Sequence, residues 1–381
     1  MNKRLSIILF SLIVLIFIMF GQLHAQEYKH YIPNLVFVSL INSPAAIGIG
    51  KCTITLKDEE AVLYNPACLG LLHLNSIFAI TLPSSNNYYP PGNYKLKTFS
   101  ISSGIQSKRI WPQHFRKHNF CLALAYSKLV YDYGDITGHV PGYGLINYHP
   151  SHRYSNYSIS AAYENSIRIG LGYTHRIIRS SYYYPDTLEL NSYDFGIILE
   201  LPIAIAIKRD RISNRINDFN LDWEFTPSIA YTINNFCDES QHRVFLPQRA
   251  KFGISIYNEL KLNKSVIISA RLSYENEQKR IIFRTFLRTL YTRYGAEIGF
   301  GDAFFIRFGR DNTSYDADNT SGYGFKSRGI VSWLSTMNII KPKNRLLNFI
   351  LDNFNISYDY ASCPGDNDQY NIHYLKFGIS L

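Results

Sequence analysis

Charge is scarce in this chain. Asp, Glu, Lys and Arg together supply 18% of 381 residues, where an ordinary soluble domain carries roughly 25%. Cysteine is sparse, scattered and odd in number, at Cys52, Cys68, Cys121, Cys237 and Cys363. That excludes a disulfide framework. Cys52 and Cys68 are the nearest pair for a single bridge, and the remainder read as small hydrophobes. Beyond the N-terminus no apolar run is long enough for a spanning helix, which excludes a helical membrane bundle. Heptads of Ala, Glu and Lys are missing, which excludes a coiled coil. No linker, charge block or fixed-period repeat marks a domain boundary. What is plentiful is aromatic surface: Tyr at 30 positions and Phe at 24, with aromatics at 15% overall. A chain so rich in buriable side chains is not disordered. Its formal net charge is +10.

The export signal is at the start. Lys3 and Arg4 precede an apolar run over residues 5–20, broken only by Ser6 and Ser11. Leu23-His24-Ala25 and the polar Gln26-Glu27 follow. A basic opening, an apolar stretch and a small residue before a polar start read as a secretory signal peptide ending at Ala25. The run falls just short of the ~17–25 residues of a membrane span. No Cys stands at the cleavage site, so a lipoprotein is not expected.

From residue 76 onward, side chains alternate with period two. In 120–127, Phe120, Leu122, Leu124 and Tyr126 alternate with Cys121, Ala123, Ala125 and Ser127. In 265–275, Val266, Ile268, Ala270, Leu272 and Tyr274 alternate with Ser265, Ser269, Arg271, Ser273 and Glu275. Successive strand residues point to opposite faces, so each segment has one apolar and one polar face. A soluble sandwich or a transmembrane barrel would both give this. The barrel is favoured by segments near ten residues, small and charged residues on the polar face, aromatics near segment ends, and the export signal. About fourteen segments can be counted, at 76–83, 94–103, 119–128, 153–164, 166–176, 192–202, 222–233, 249–260, 264–275, 281–300, 303–310, 321–332, 353–361 and 371–381. Long connections at 128–153, 208–220 and 333–352 contrast with short ones at 164–165 and 261–263, as extracellular loops contrast with periplasmic turns.

Residues 26–75 do not alternate. Ala46-Ile47-Gly48-Ile49-Gly50 is a small, flexible strip, and Asp58 with Glu59 and Glu60 is an expected N-cap and first turn. Tyr64-Asn65-Pro66-Ala67 breaks that helix, because Pro66 cannot continue it. This order, with Tyr294-Gly295-Ala296-Glu297, Phe305-Ile306-Arg307-Phe308-Gly309 and Tyr358-Asp359-Tyr360-Ala361 near the C-terminus, resembles the PorV/PorQ family of outer-membrane proteins, within the FadL-like barrel group. Cys68 stands where that family usually has Gly, and Leu381 where many such barrels end on an aromatic residue. The resemblance implies a barrel whose N-terminal segment folds inside as a hatch. It implies a role in type IX secretion, handing secreted cargo to the surface machinery. The alternative is transport of long-chain fatty acids or other hydrophobic small molecules.

No residue pattern points to chemistry. His114 with His118, and His149 with His152, lack a third ligand and read as loop histidines. His175 and His373 fall in strands, but no G-x-S-x-G nucleophile motif accompanies them. Gly48-Ile49-Gly50 lacks the Lys-Ser/Thr end of a phosphate loop. Basic clusters at Lys108-Arg109, Arg116-Lys117, Lys208-Arg209-Arg211-Arg215 and Lys341-Lys343-Arg345 read as loop charges able to meet anionic lipid.

The expected architecture is all-β: a transmembrane antiparallel β-barrel of about 14 strands with an N-terminal hatch segment. Its division is signal peptide 1–25, hatch 26–75 and barrel 76–381, placed in a bacterial outer membrane after signal-peptide cleavage. No catalytic, cofactor or metal site is expected. Gly48, Gly50, Asp58, Asn65, Pro66 and Ala67 form the hatch motif, with a structural or gating role, and Asp359, Tyr360 and Ala361 a late-strand motif. Expected partners are outer-membrane lipid and lipopolysaccharide, then secreted cargo or secretion machinery, or hydrophobic small molecules, and no nucleic acid.

Overall fold

Alternation builds the wall. The computed structural model describes residues 43–72, 78–81, 86–87, 95–115, 118–140, 144–181, 188–203, 214–216, 219–236, 246, 248–262, 265–280, 288–312, 317–336, 351, 353–364 and 369–379. The expected signal peptide, residues 26–42 and 73–75 of the expected hatch, Cys237 and Leu381 lie outside these.

The strands are β1 (Phe78–Thr81), β2 (Asn86–Asn87), β3 (Lys95–Gln106), β4 (Asn119–Asp132), β5 (Ile136–Val140), β6 (Gly144–Tyr148), β7 (Ser151–Glu164), β8 (Arg168–Ser180), β9 (Leu188–Glu200), β10 (Asn214–Ile216), β11 (Phe219–Phe236), β12 (Gln248–Leu262), β13 (Ser265–Arg280), β14 (Arg288–Phe300), β15 (Phe304–Asn312), β16 (Ala317–Lys326), β17 (Phe354–Pro364) and β18 (Gln369–Ile379). Sixteen belong to one antiparallel sheet, and β5 and β6 form a separate hairpin between β4 and β7. The wall runs β1, β3, β4, β7, β8, β9, β11 through β18, with β2 and β10 as short side pairs. β1 pairs with β3 along one edge and with β18 along the other: Phe78 faces both Ser103 and Ile379. The order of strands therefore returns on itself, through four residues at one end of the wall. That end, here called A, holds the start of β1, the end of β18, the turns at 165–167 and 301–303, the end of β12 and the start of β13. The opposite end, B, holds the β5–β6 hairpin, the ends of β8, β15 and β17 and the starts of β9, β16 and β18.

Each of the fourteen segments marked by alternation has its wall strand, in the same order. Three details differ. The 321–332 segment is a strand only to Lys326, and Ser327–Thr336 is a helix. Gly329 permits that turn, because a Cβ there would strike the backbone of Asp302 and Ala303. The strands also outrun the membrane segments: β4 and β7 stay paired as far as Asp132 and Ser151. Spacing in the sequence does not sort the two ends, since Glu200 and Phe219, and Lys326 and Phe354, are far apart in the chain yet share end A with the closely spaced Glu164 and Arg168.

The outer face is an apolar belt. On β4, Phe120, Leu122 and Leu124 are exposed; on β15, Phe304, Ile306 and Phe308; on β13, Leu272 is 61% exposed. Histidines on this face have hydrogen-bond partners. His118 Nδ1 lies 2.6 Å from Tyr163 Oη, His373 Nδ1 2.6 Å from Tyr358 Oη, and His175 Nε2 3.1 Å from Asn191 Oδ1. Apolar bulk exposed on this scale needs lipid rather than water around it. All three tryptophans sit exposed near end A: Trp111 beyond β3, Trp223 at the start of β11, and Trp333 on the Ser327–Thr336 helix.

Candidate functional site

The inner face is filled by residues 43–72. Ser43 starts the Pro44–Gly48 helix: its Oγ accepts the Ala46 N–H at 3.4 Å, and its own N–H donates to Tyr64 Oη at 2.8 Å. Gly50 takes φ +69°, a left-handed turn suited to glycine. Asp58 does not cap with its side chain. Its carboxylate accepts the Ser43 hydroxyl at 3.3 Å, and Glu59–Leu63 forms only a 3-10 turn. Asn65 does more: its Nδ2 donates to Ile54 O at 2.7 Å, and its Oδ1 accepts the Ala67 N–H at 3.1 Å, capping the Ala67–Leu72 helix.

Glycines in the wall receive this segment. A Cβ on Gly170 or Gly172 of β8 would strike the Pro66-Ala67 backbone, and one on Gly196 of β9 would strike the Asn65 amide. On another arc, a Cβ on Gly295 of β14 or Gly309 of β15 would strike Ile49 or Gly50, and one on Gly322 of β16 would press on Gly48. The two halves of the motif thus sit on two glycine patches, where hatch backbone touches strand backbone. Ala45, Ile47, Ile49, Cys52, Leu56 and Tyr64 pack with Ala361, Cys363, Ile372 and Tyr374 of the wall. Burial pushes the Cys52 and Cys68 thiols upward in pKa. Both are free, as are Cys121 and Cys363, so no Cys52–Cys68 bridge forms.

Charged contacts pin the segment around the wall, and four of them are short. Lys51 Nζ lies 2.8 Å from Asp311 Oδ2 of β15, Lys57 Nζ 2.8 Å from Glu200 Oε1 of β9, and Lys376 Nζ of β18 2.6 Å from Glu60 Oε2. The fourth is Glu275 of β13, whose Oε2 accepts the N–H groups of Thr53 at 2.6 Å and Ile54 at 2.9 Å. Burial alone would depress the Lys51 ammonium, but the adjacent Asp311 outweighs it and the net shift is upward. The pins continue into the wall. Arg293 Nη1 donates to Glu275 at 2.8 Å and its Nε to Asp311 at 3.0 Å. Arg307 donates to Glu297 at 2.7 Å and Asp359 at 2.6 Å, and Asp359 lies 3.4 Å from Lys376. Buried charges persist only when paired in this way.

The lumen is layered along its axis. At end A, Arg168 bridges Glu164 and Glu224. The hatch follows. Beyond it, Arg176 donates to Asn156 at 2.6 Å, Asn235 at 2.6 Å and Asp194 at 2.7 Å. Closer to end B the arc of β4, β7, β8 and β9 turns apolar inward, with buried Leu129, Tyr131, Tyr154, Ile178 and Leu190 beside His152 and Ser180. The Tyr131 and Tyr154 rings meet edge to face at 5.6 Å.

The structure places Gly48, Gly50, Asp58, Asn65, Pro66 and Ala67 inside the wall, the two glycines against one arc and Asn65, Pro66 and Ala67 against another. Asp359 and Ala361 point to the same interior, while Tyr360 points outward, stacked on Tyr323 and donating to Asn371. The His149 and His152 pair is split: His149 lies in a loop against Asp132 and Asp135, and His152 is buried. Among the described residues no cluster of His, Cys, Asp and Glu is arranged for a metal. Of the basic clusters, Lys108 and Arg109 are at end A; Arg116, Lys117, Lys208, Arg209, Arg211, Lys341, Lys343 and Arg345 fall outside the described residues. The pinning residues Glu275, Asp311, Glu200 and Lys376 were not singled out by sequence. Their signal was present, as charges at inward positions of alternating strands.

No protein-family profile matches the sequence, and no curated protein does. Among solved structures, the toluene transporter TbuX of Ralstonia pickettii aligns with a TM-score of 0.42 at 10% identity, over 89% of this chain and 98% of that one. The toluene transporter TodX of Pseudomonas putida aligns at 0.38 and 8%, over 88% and 97%. A variant porin of Rh. blastica aligns at 0.30 and 10%, over 80% and 98%. At this level nothing about cargo carries over, and the PorV/PorQ assignment with its secretion role gains no support.

Proposed function

We propose that the protein is a non-enzymatic outer-membrane channel for hydrophobic small molecules, held shut by residues 43–72. The observation that carries this reading is the layering of the lumen. A stopper pinned to the wall by charged contacts fills the middle, and on its end B side the arc of β4, β7, β8 and β9 carries an inward-facing apolar layer of Leu129, Tyr131, Tyr154, Ile178 and Leu190. A passage for ions or sugars has no use for such a layer; an apolar solute gains by leaving water for it. The apolar exterior and the export signal support the outer membrane as the location. Nothing among the described residues singles out a docking surface for secreted cargo, so the handover reading is not carried further.

The test is uptake into proteoliposomes by the mature protein, with toluene and oleate as apolar probes and glucose as the polar one. Faster entry of the apolar probes is expected, and Ile178→Asn should slow them several-fold while leaving the heat-dependent gel shift of a folded barrel. Equal entry of glucose, or no response to Ile178→Asn, would sink the reading.

A further inference from the structure

The outward face of β4, β7 and β8 changes character at one height. Toward end A it is apolar, with Leu122, Leu124, Ile159 and Leu171 exposed. The Tyr126–Tyr157 pair, centroids 5.2 Å apart, tops this region. Just beyond it toward end B stand Lys128 on β4, Arg153 on β7 and Arg179 on β8, all three exposed. The register makes them neighbours. Lys128 faces Ser155 and Arg153 faces Val130, so the two cations are diagonal partners. Arg153 faces Arg179 directly.

Like charges placed opposite each other weaken a sheet. Two nearby acids answer only part of this. Glu189 holds Arg179, Oε2 to Nε at 2.8 Å, and Asp132 is taken up by His149, Oδ1 to Nε2 at 2.8 Å. Among the described residues neither Lys128 nor Arg153 has an ion-pair partner. The cluster sits where lipid headgroups meet the wall, one step above an aromatic ring. Guanidinium forks match phosphate oxygens, and Lys adds a point charge.

We propose that Lys128, Arg153 and Arg179 bind the phosphates of lipid A, the membrane-embedded part of lipopolysaccharide, with its acyl chains lying on the Leu122, Leu124, Ile159 and Leu171 face. A bisphosphorylated sugar headgroup has the charge and the width to span three strands. End B is taken as the outer side, because the start of β1 and the end of β18 both lie at end A, as in a barrel inserted from the periplasm. The inference rests on the outer-membrane location and not on the hatch or on transport, so failed uptake would leave it standing.

The experiment is native mass spectrometry of the full mature protein in mild detergent. Three lipids are offered: bisphosphorylated lipid A, the same lipid stripped of phosphate, and phosphatidylglycerol. The wild type should retain bisphosphorylated lipid A, and Lys128→Ala with Arg153→Ala should retain it about tenfold less or worse. Removing the phosphates should abolish the difference between wild type and variant. Leaving Arg179 in place keeps its pair with Glu189, and the gel shift on heating verifies folding. Equal retention of lipid A by wild type and variant would overturn the proposal. So would phosphatidylglycerol binding that falls as far in the variant as lipid A binding does.

Discussion

At the scale of single residues, the barrel interior is set by which side chains are absent as much as by which are present. Gly172 gives Pro66 and Ala67 a bare backbone to rest on. Gly172→Val should therefore push the hatch off its seat, at about 1–3 kcal/mol for overpacking, while the wall survives. Faster proteolysis within residues 43–72 and raised conductance in planar bilayers would show this; an unchanged digest would contradict it. Glu275 makes the complementary case. It anchors two backbone N–H groups and faces Lys251, which is 1% exposed, at 3.4 Å. Glu275→Ala leaves those N–H groups without their acceptor and Lys251 with Glu277, at 3.7 Å, as its carboxylate, and a loss of about 3–5 kcal/mol is expected in denaturant unfolding. Restoring stability by adding Lys251→Met would show that the weakened ion pair of Lys251, and not the backbone N–H groups, is the cause. His149 titrates in the loop beyond β6. Its hydrogen bond to Asp135, with Asp132 adding to it, raises its pKa above the ordinary value. A raised pKa means that the tie is complete below the ordinary histidine pKa and is lost as pH rises through the raised one. Asp135→Asn should lower that midpoint in an NMR titration.

At the scale of elements, period two carried the fold. The segment at 265–275 placed Leu272 and Tyr274 on one face and Ser273 and Glu275 on the other, and β13 keeps that division. Leu272→Arg should cost about 2–4 kcal/mol in bilayer folding, whereas Asn276→Arg, nearer end B, should cost far less. Equal penalties would mean that the belt is misplaced. Alternation was silent where geometry takes over. It ran on to residue 332 and so read the first part of the Ser327–Thr336 helix as strand. It showed Glu275 facing inward but not that Thr53, 222 residues away, would meet it. Gly196 and Gly309 were readable as lumen-facing, yet the chain that presses on them is fixed by wall curvature and register. The non-alternating stretch and the Asn65-Pro66 break were legible because local chemistry, capping and a missing N–H, sets them.

At the scale of the whole molecule, fourteen wall strands bring the first and last to one end, with β1 and β18 side by side. An epitope inserted at 141–143 should be reached by antibody on intact cells, and one appended after Leu381 only once the membrane is permeabilised. The reverse result would invert the barrel and with it the lipid site at Lys128 and Arg153.

The tryptophans have a consequence for watching the protein fold. Trp111, Trp223 and Trp333 are the whole complement and all lie near the same rim. The intrinsic emission of the intact chain is therefore a signal from one leaflet boundary alone. Brominated lipid confined to the inner leaflet should quench it, and the same lipid confined to the outer leaflet should leave it bright. During insertion from the periplasm the opposite rim crosses the bilayer unseen, and the emission shifts to the blue only when the Trp-bearing rim settles into its leaflet.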